Sequence, residues 1–234
     1  MKHGLILAGG KGTRLREITK GGQKAIVDIN GRPFLSYLIE QLFSQGFDKI
    51  YVAAGYKAAD VRSYLDAEEK DVHLIVEDEP LGTGGAIYNA FRHMNTGTVL
   101  VINGDTLNEA DYLDFLNQHI SSSADISILT KYVDDVSRYG EIILDQDQRI
   151  VDFREKQNIK KSGYVNVGAY AINKNVFSSV PNVRFSIEDF FQESVKKLRV
   201  NAVESTDEFI DIGIPDTYLA FVAKEKDRRR NDNN

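Results

Sequence analysis

The chain contains no cysteine, which excludes a disulfide framework, a thiolate nucleophile and any Cys-ligated zinc or iron–sulfur site. Its four histidines are scattered and argue against a His-rich metal centre. No apolar run approaches the roughly 20 residues that cross a bilayer, and the N-terminus lacks the apolar core and cleavage site of a signal peptide. The expectation is a cytoplasmic protein with no membrane partner. Positive charge is in deficit, with 29 Lys plus Arg against 35 Asp plus Glu, a net charge of −6. That field repels phosphate polymers, so nucleic acid is a poor partner and a polyanionic ligand needs a local basic pocket. What is present is ordinary globular material: 234 residues, 42% hydrophobic and 27% charged, enough for one large domain. Neither a solenoid repeat nor a low-complexity linker interrupts it.

The first half repeats a short apolar run, a turn, and a segment of helical spacing. The runs Leu5 to Ala8, Ile50 to Ala54, Leu74 to Val76 and Val99 to Ile102 suit strands covered on both faces. Between them, Phe34, Leu35, Leu38, Ile39, Leu42 and Phe43 form one helical stripe stopped by Gly46, and Ala86, Ile87, Ala90, Phe91 and Met94 form another. This alternation predicts a parallel sheet covered by helices. In the second half Ile126 to Thr130, Glu141 to Leu144, Ile150 to Phe153 and Tyr164 to Ile172 read as strands, the middle two joined as a hairpin by Asp145 to Gln148. Ser186 is a candidate cap for a helix carrying Ile187, Phe190, Phe191 and Leu198 inward, and Pro215 opens a last helix. The charged end from Lys224 reads as a fraying helix end, and 227–234 as a polar tail.

The first strand runs directly into Leu7-Ala8-Gly9-Gly10-Lys11-Gly12-Thr13-Arg14-Leu15. Glycines there let backbone N–H groups approach phosphates or a base, and Lys11 and Arg14 add positive charge. The segment is not a P-loop, and Leu15 stands where a dinucleotide fingerprint needs its last glycine, which removes the main support for hydride chemistry. Lys24 follows shortly, in reach of the same phosphates.

These residues, together with Asn30-Gly31-x-Pro33-Phe34, Pro80-Leu81-Gly82-Thr83-Gly84-Gly85-Ala86, Asn103-Gly104-Asp105, Phe153-x-Glu155-Lys156 and Asp211-Ile212-Gly213-x-Pro215, occur in the order in which the sugar-phosphate nucleotidyltransferases carry them. The chain resembles that family over nearly its whole length. Periodicity and resemblance together imply an α/β fold, a Rossmann-like three-layer αβα sandwich with a mixed, mostly parallel sheet and a small antiparallel sugar-site subdomain. One domain over 1–226 is expected, with a nucleotide-binding half to about residue 120 and a sugar-binding half after it. The implied reaction is Mg²⁺-dependent transfer of a nucleoside monophosphate from a nucleoside triphosphate to a sugar 1-phosphate, releasing pyrophosphate. Within the family, the short length, Asp28 to Phe34, Phe185 to Phe190 and Phe209 to Gly213 resemble members that use GTP and D-glycero-α-D-manno-heptose 1-phosphate to make GDP-heptose for surface polysaccharide. Mannose 1-phosphate, or UTP, CTP or dTTP, are alternatives, and a homodimer stays open. Rivals of another kind are an inactive sugar-nucleotide-binding regulator and a GT-A-like glycosyltransferase, though the latter wants Asp-x-Asp where Asn103-Gly104-Asp105 stands.

The resemblance assigns Arg14, Lys24 and Lys156 to catalysis. Leu7, Ala8, Gly9, Gly10, Gly12, Thr13, Glu77, Pro80, Gly82, Thr83, Asn103 and Gly104 fall to the nucleotide, and Gly140, Glu155, Asn166 and Gly168 to the sugar. Asp105 and Asp211 are the implied Mg²⁺ ligands. Chemistry agrees: Arg14 offers a planar fork to triphosphate oxygens, two carboxylates are hard donors, and Glu77 can accept from guanine N–H groups. Gly82, Gly84 and Gly85 would let the backbone approach a flat ring. Blander alternatives exist for several of these. Asp105 can simply form a turn and Asp211 a cap, Glu155 and Lys156 can be a surface pair, Pro80 to Ala86 a loop entering a helix, and Asn166 a strand residue bonded to its neighbours. Two departures stand out. The family's usual Pro-Lys-Pro is Gln23-Lys24-Ala25 here, and Gln157 follows Lys156 in place of a frequent proline. Lost φ restriction predicts a more mobile loop around Lys24. The chain ends soon after its last helix, which predicts no left-handed β-helix domain and no second acyltransferase activity.

Overall fold

The structure is a computed structural model that describes residues 1–10, 12, 15, 21–68, 71–154, 160–178, 180 and 183–232. Strands β1 (His3–Leu7), β4 (Lys49–Ala54), β5 (Val72–Val76) and β6 (Thr98–Asn103) are the four apolar runs of the first half. They lie parallel in the order β5-β4-β1-β6. Beyond β6 comes β11 (Gly163–Asn173), antiparallel, then β8 (Ile126–Val133) and β12 (Val200–Glu204), parallel to each other. The hairpin β9 (Glu141–Leu144) and β10 (Ile150–Arg154) pairs with the N-terminal part of β11. The antiparallel portion foreseen over the sugar site is therefore an extension of the same nine-stranded sheet.

Side chains alternate across this sheet as the pleat requires. Ile6, Val52, Leu100, Ile102, Ala169 and Ala171 face α1 (Phe34–Ser44), α2 (Ala58–Leu65), α4 (Tyr112–Ser122) and α6 (Pro215–Asp232). Leu5, Tyr51, Val99, Val101, Tyr170 and Ile172 face α3 (Gly82–Phe91) and α5 (Ile187–Ser194). Both faces are buried, which is why the strands read as unbroken apolar runs. The result is a three-layer αβα sandwich.

Local signals explain the element ends. Gly46, at φ 75°, stops α1: its N–H reaches Phe43 O and the Phe47 N–H reaches Leu42 O, a Schellman close sealed by Phe47 and Leu42 side chains. Ser186 Oγ accepts from the Glu188 and Asp189 N–H groups and caps α5. Asn30 and Gly31, at φ 53° and 86°, form the two-residue turn between β2 (Asp28–Ile29) and β3 (Arg32–Pro33), a geometry that demands Asn-Gly. That hairpin is the seat of α6. Asn30 Nδ2 donates to Val222 O at 2.7 Å, Tyr218 OH to Asp28 O at 2.8 Å and Arg229 Nη1 to Asn30 O at 2.5 Å. Residues 227–232, expected as part of a polar tail, continue this helix, and Arg229 fastens it where fraying was expected.

At the sheet end remote from the β1–Gly9 loop lies a polar network centred on two buried side chains, His119 and Ser127. His119 is buried, with Nδ1 2.8 Å from Ser127 Oγ and Nε2 3.1 Å from Asn173 Oδ1. The Asn173 amide is oriented by donating to Ala124 O, so its oxygen accepts from Nε2–H, and in the neutral ring Nδ1 is left to accept from the Ser127 hydroxyl. Burial holds the His119 pKa below its ordinary value. The unfolded chain therefore takes up a proton that the fold resists once pH falls through about 6.5, and stability present above that pH is lost below it. The unfolding temperature of the chain should fall between pH 7.5 and 5.5, and His119→Gln should flatten that slope; parallel slopes would remove His119 as its source.

Candidate active site

The carboxyl ends of the parallel strands open onto a cleft of about 580 Å³, where an open α/β sheet binds its ligands. Four strand ends contribute: Leu7 to Gly10 after β1, Ala53, Gly55 and Tyr56 after β4, Glu77 to Pro80 after β5, and Asn103 to Asp105 after β6. Gly82, Thr83, Ala86, Gln23, Lys24, Ala25 and Glu188 complete the wall. Tyr56, Asp78, Glu79, Gln23 and Glu188 were not foreseen. The rule that ligands sit at strand ends would have found the first three, whereas Glu188 arrives from α5 with no local signal.

The centre of the cleft is where β1 and β6 run side by side, Leu7 opposite Asn103. Gly104 N–H donates to Leu7 O at 2.9 Å, and a Cβ on Gly104 would lie 2.5 Å from that oxygen. Glycine is thus required for the two loops to touch, and the touch places Asp105. Lys24 Nζ lies 2.5 Å from Asp105 Oδ2, with the lysine side chain only 10% exposed. Asp211 reaches the same place through a second ladder. β13 (Phe209–Asp211) pairs antiparallel with β7 (Thr106–Asn108), Asp211 standing opposite Thr106, and Ile212 N–H donates to Asp105 O at 2.9 Å. A Cβ on Gly213 would lie 2.4 Å from Lys24 Nζ and 2.6 Å from Asp211 Oδ1. Two aspartates 106 positions apart and one lysine therefore converge around a glycine. Asp211 Oδ1 also accepts from Gly213 N–H at 2.6 Å, so it does cap its own turn. Among the described residues no group of three His, Asp or Glu side chains gathers here, so a bound Mg²⁺ would take its other ligands from water and phosphate.

Gln23 corrects the expectation of a loose loop around Lys24. Its side chain is buried, donates to Ala8 O, and accepts from Ala25 N–H and Ile26 N–H, capping the 3₁₀ turn Lys24–Ile26. Hydrogen bonds hold the turn where the family pattern has proline rings. Gly12, at φ 56°, packs over this turn, its missing Cβ only 2.9 Å from Lys24 Cβ.

The Gly82 to Ala86 block also differs in detail. Gly82 and Thr83 line the cleft, but a Cβ on Gly84 would lie 2.2 Å from the Phe185 ring and one on Gly85 would lie 2.1 Å from Val183 O. These glycines make room for the chain's own segment 183–185, not for a base. Gly84 and Gly85 N–H groups both donate to Phe185 O, and Thr83 Oγ1 donates to Glu188 while accepting from Ile187 N–H. Glu77 sits beside Gly9 and Gly55. Its Oε2 accepts from Leu81 N–H at 3.1 Å, its Oε1 faces Gly9, and burial raises its pKa.

In the second half of the chain, β11 breaks register between Asn166 and Tyr170 around Gly168, at φ 78°, whose missing Cβ faces Asn103 Nδ2 at 2.8 Å. Asn166 Oδ1 accepts from Gly168 N–H and its Nδ2 donates to the buried Tyr170 hydroxyl, which also bonds Asn103. Both amide atoms of Asn166 thus have protein partners and brace the bulge beneath Asn103. Gly140 is exposed beside Arg154 O, outside the cleft lining. Lys11, Thr13, Arg14, Glu155, Lys156 and Gln157 lie outside the described residues. Among the described residues of the lining, Lys24 is the one cation against Glu77, Asp78, Glu79, Asp105 and Glu188.

Residues 3–228 match the protein family described as nucleotidyl transferase. The chain is 36% identical over 221 residues to the D-glycero-alpha-D-manno-heptose 1-phosphate guanylyltransferase of Campylobacter jejuni, covering 93% of this chain and 97% of that one. It is 37% identical over 218 residues to the enzyme of that name from Aneurinibacillus thermoaerophilus, covering 92% and 94%. Among solved structures, HddC from Yersinia pseudotuberculosis superposes with a TM-score of 0.86 at 37% identity, covering 96% of this chain and 99% of that one. The same protein complexed with GMP-PN gives 0.85.

The glycine contacts separate two kinds of position. Gly104→Ala should lower stability by about 1–3 kcal/mol through its clash with Leu7 O, whereas Gly10→Ala, with no atom within 4 Å of its Cβ, should stay within about 0.5 kcal/mol of the parent. Denaturant melts of both variants measure this, and equal losses would contradict it.

Proposed function

The chain belongs to the nucleotidyl transferase family, and we propose that it transfers GMP from GTP to D-glycero-α-D-manno-heptose 1-phosphate, giving GDP-heptose and pyrophosphate. The observation that carries this is the convergence of Lys24, Asp105 and Asp211 at the β1–β6 cleft in a chain whose near full-length relatives are heptose 1-phosphate guanylyltransferases. A phosphate oxygen of the sugar attacks the α-phosphorus of GTP, and the bond from that phosphorus to the β-phosphate bridge breaks, its electron pair leaving with pyrophosphate. The protein's task is to align two polyanions and offset the charge on the leaving group.

Residue roles follow from position and chemistry. Gly9 and Gly10 present backbone N–H groups at the carboxyl end of β1, and Lys24 stands next to them as a compact charge for the α-phosphate and the attacking phosphate. Arg14 suits the leaving pyrophosphate. By their chemistry, Lys156 suits the sugar phosphate and Glu155 the sugar hydroxyls, while Asn103 at the end of β6 stays with the nucleotide. Asp105 and Asp211 are the residues that would hold Mg²⁺, and their hard oxygens fit it. When bound, the ion supplies charge neutralisation to the phosphates. Glu77, with Oε1 facing Gly9, suits the ring N–H and exocyclic amine of guanine. We read residues to about 120 as the nucleotide half and the remainder as the sugar half; Glu188 and segment 183–185 tie the two together.

The direct test is pyrophosphate release with Mg²⁺ across five nucleoside triphosphates against heptose, mannose and glucose 1-phosphates. Selective release with GTP and the heptose phosphate is expected. No release from a folded, nucleotide-binding protein would mean a regulator instead. Asp105→Asn should remove most Mg²⁺-dependent turnover, and Arg14→Ala should lower kcat about 100-fold or more with a small change in KM. A pure KM effect would take Arg14 off the leaving group. Glu77→Gln should cut kcat/KM for GTP about 10-fold or more and narrow the preference for GTP over ITP; an unchanged GTP to ITP ratio would remove Glu77 from base reading.

A further inference from the structure

Lys24 sits on a short 3₁₀ turn of three residues, which alone is a weak platform for a charge that must meet a phosphate. What fixes the turn is one neutral side chain. Gln23 is 2% exposed, and its amide is used at both ends. Nε2 donates to Ala8 O, the carbonyl between β1 and the glycine loop, while Oε1 accepts from Ala25 N–H and, at 3.3 Å, from Ile26 N–H. Ala8 N–H in turn donates to Ala53 O at 2.7 Å, so the anchor is the sheet itself. Gly12 closes over Lys24 Cβ from the other side, and Val27 N–H returns to Lys24 O at 3.1 Å.

We propose that Gln23 is a positioning residue, whose carboxamide locks the Lys24 turn to the glycine loop and so sets the Lys24 ammonium against Asp105. It touches no reacting atom; it acts through Lys24. The proposal rests on the guanylyl-transfer reading for its kinetic consequence, but its structural consequence stands apart from that reading. A proline ring at this position would fix φ and nothing else. The carboxamide also fixes the distance between the turn and the loop that presents Gly9 and Gly10, so lysine and phosphate-facing backbone move as one piece. Gln23 has φ −73°, within the range of a proline ring, so the two devices can be exchanged.

The full-length protein tests this with Gln23→Met, which keeps length and apolar volume but removes donor and acceptor. Expected is a loss of about 10- to 100-fold in kcat with the KM for GTP within about threefold of the parent, since misplacement is felt in the transition state. On a Lys24→Ala background the same change should cost nothing further. Gln23→Pro should recover part of the kcat lost in Gln23→Met. Independently of turnover, Lys24 acylation by an N-hydroxysuccinimide ester, read by mass spectrometry without nucleotide, should rise about 10-fold in Gln23→Met while other lysines keep their rates. If Gln23→Met fails to fold, Gln23→Glu, which keeps the acceptor and loses the donor toward Ala8, carries the same expectations. Losses that add on the Lys24→Ala background, or an unchanged Lys24 acylation rate, overturn the proposal. A parent protein without guanylyl transfer would sink the proposed reaction, and the acylation arm would still decide the role of Gln23.

Discussion

The side-by-side placement of β1 and β6 is the constraint on which the site depends. Parallel strands deliver their carboxyl ends to one edge, and a parallel register of Leu7 with Asn103 puts a glycine loop and an aspartate loop in main-chain contact. Only a residue without a Cβ tolerates that contact, and Gly104 supplies it. Asp105 is then fixed, Lys24 finds its partner, and the β7–β13 ladder has a strand to which Asp211 can be registered. Each step is a backbone event before it is a side-chain event. Burial on both faces of the central strands, with Leu5, Ile6, Val52, Leu100 and Val101 fully enclosed, keeps those backbones from shifting.

The two ends of the sheet do different work. At the cleft, carboxylates that are at least partly exposed surround the nearly buried Lys24 ammonium, where their charge can be shared with a ligand. At the other end, the buried His119 and Ser127 and the half-buried Asn173 and Thr98 satisfy one another in a closed network. A buried polar group is costly unless it is bonded, so the closed network specifies how α4, β8, β6 and β11 meet.

Much of this was legible in the sequence. Short Val-, Ile- and Leu-rich runs between helical stripes point to a parallel sheet covered twice, and the strand ends then mark the cleft. Arg32, Pro33 and Phe34 after Asn30-Gly31 spell out a tight hairpin feeding a helix. Long-range pairing was not legible. Nothing local in Gln23 says that its amide spans Ala8 and Ile26, and a missing proline reads as looseness until those bonds are seen. Gly84 and Gly85 announce a close approach without naming the neighbour, and the neighbour is Phe185, about a hundred positions away. Asn166 has the atoms for a sugar hydroxyl, and the bulge at Gly168 already takes one N–H and one lone pair of its amide. The helical course of 227–232 depends on Arg229 finding Asn30 O, a contact set by the hairpin and invisible in a charged run.

The fit of Phe185 into the space left by Gly84 bears on how this scaffold can be engineered. Residues 80–86 look like a portable loop, the natural unit to exchange when a different base is wanted. They are half of a moulded pair. Grafted alone into another framework, Gly84 and Gly85 would leave a void and two N–H groups without Phe185 O, while a foreign loop with side chains there would collide with 183–185. The transplantable unit is both segments together, with Thr83 and Glu188 as the stitch between them.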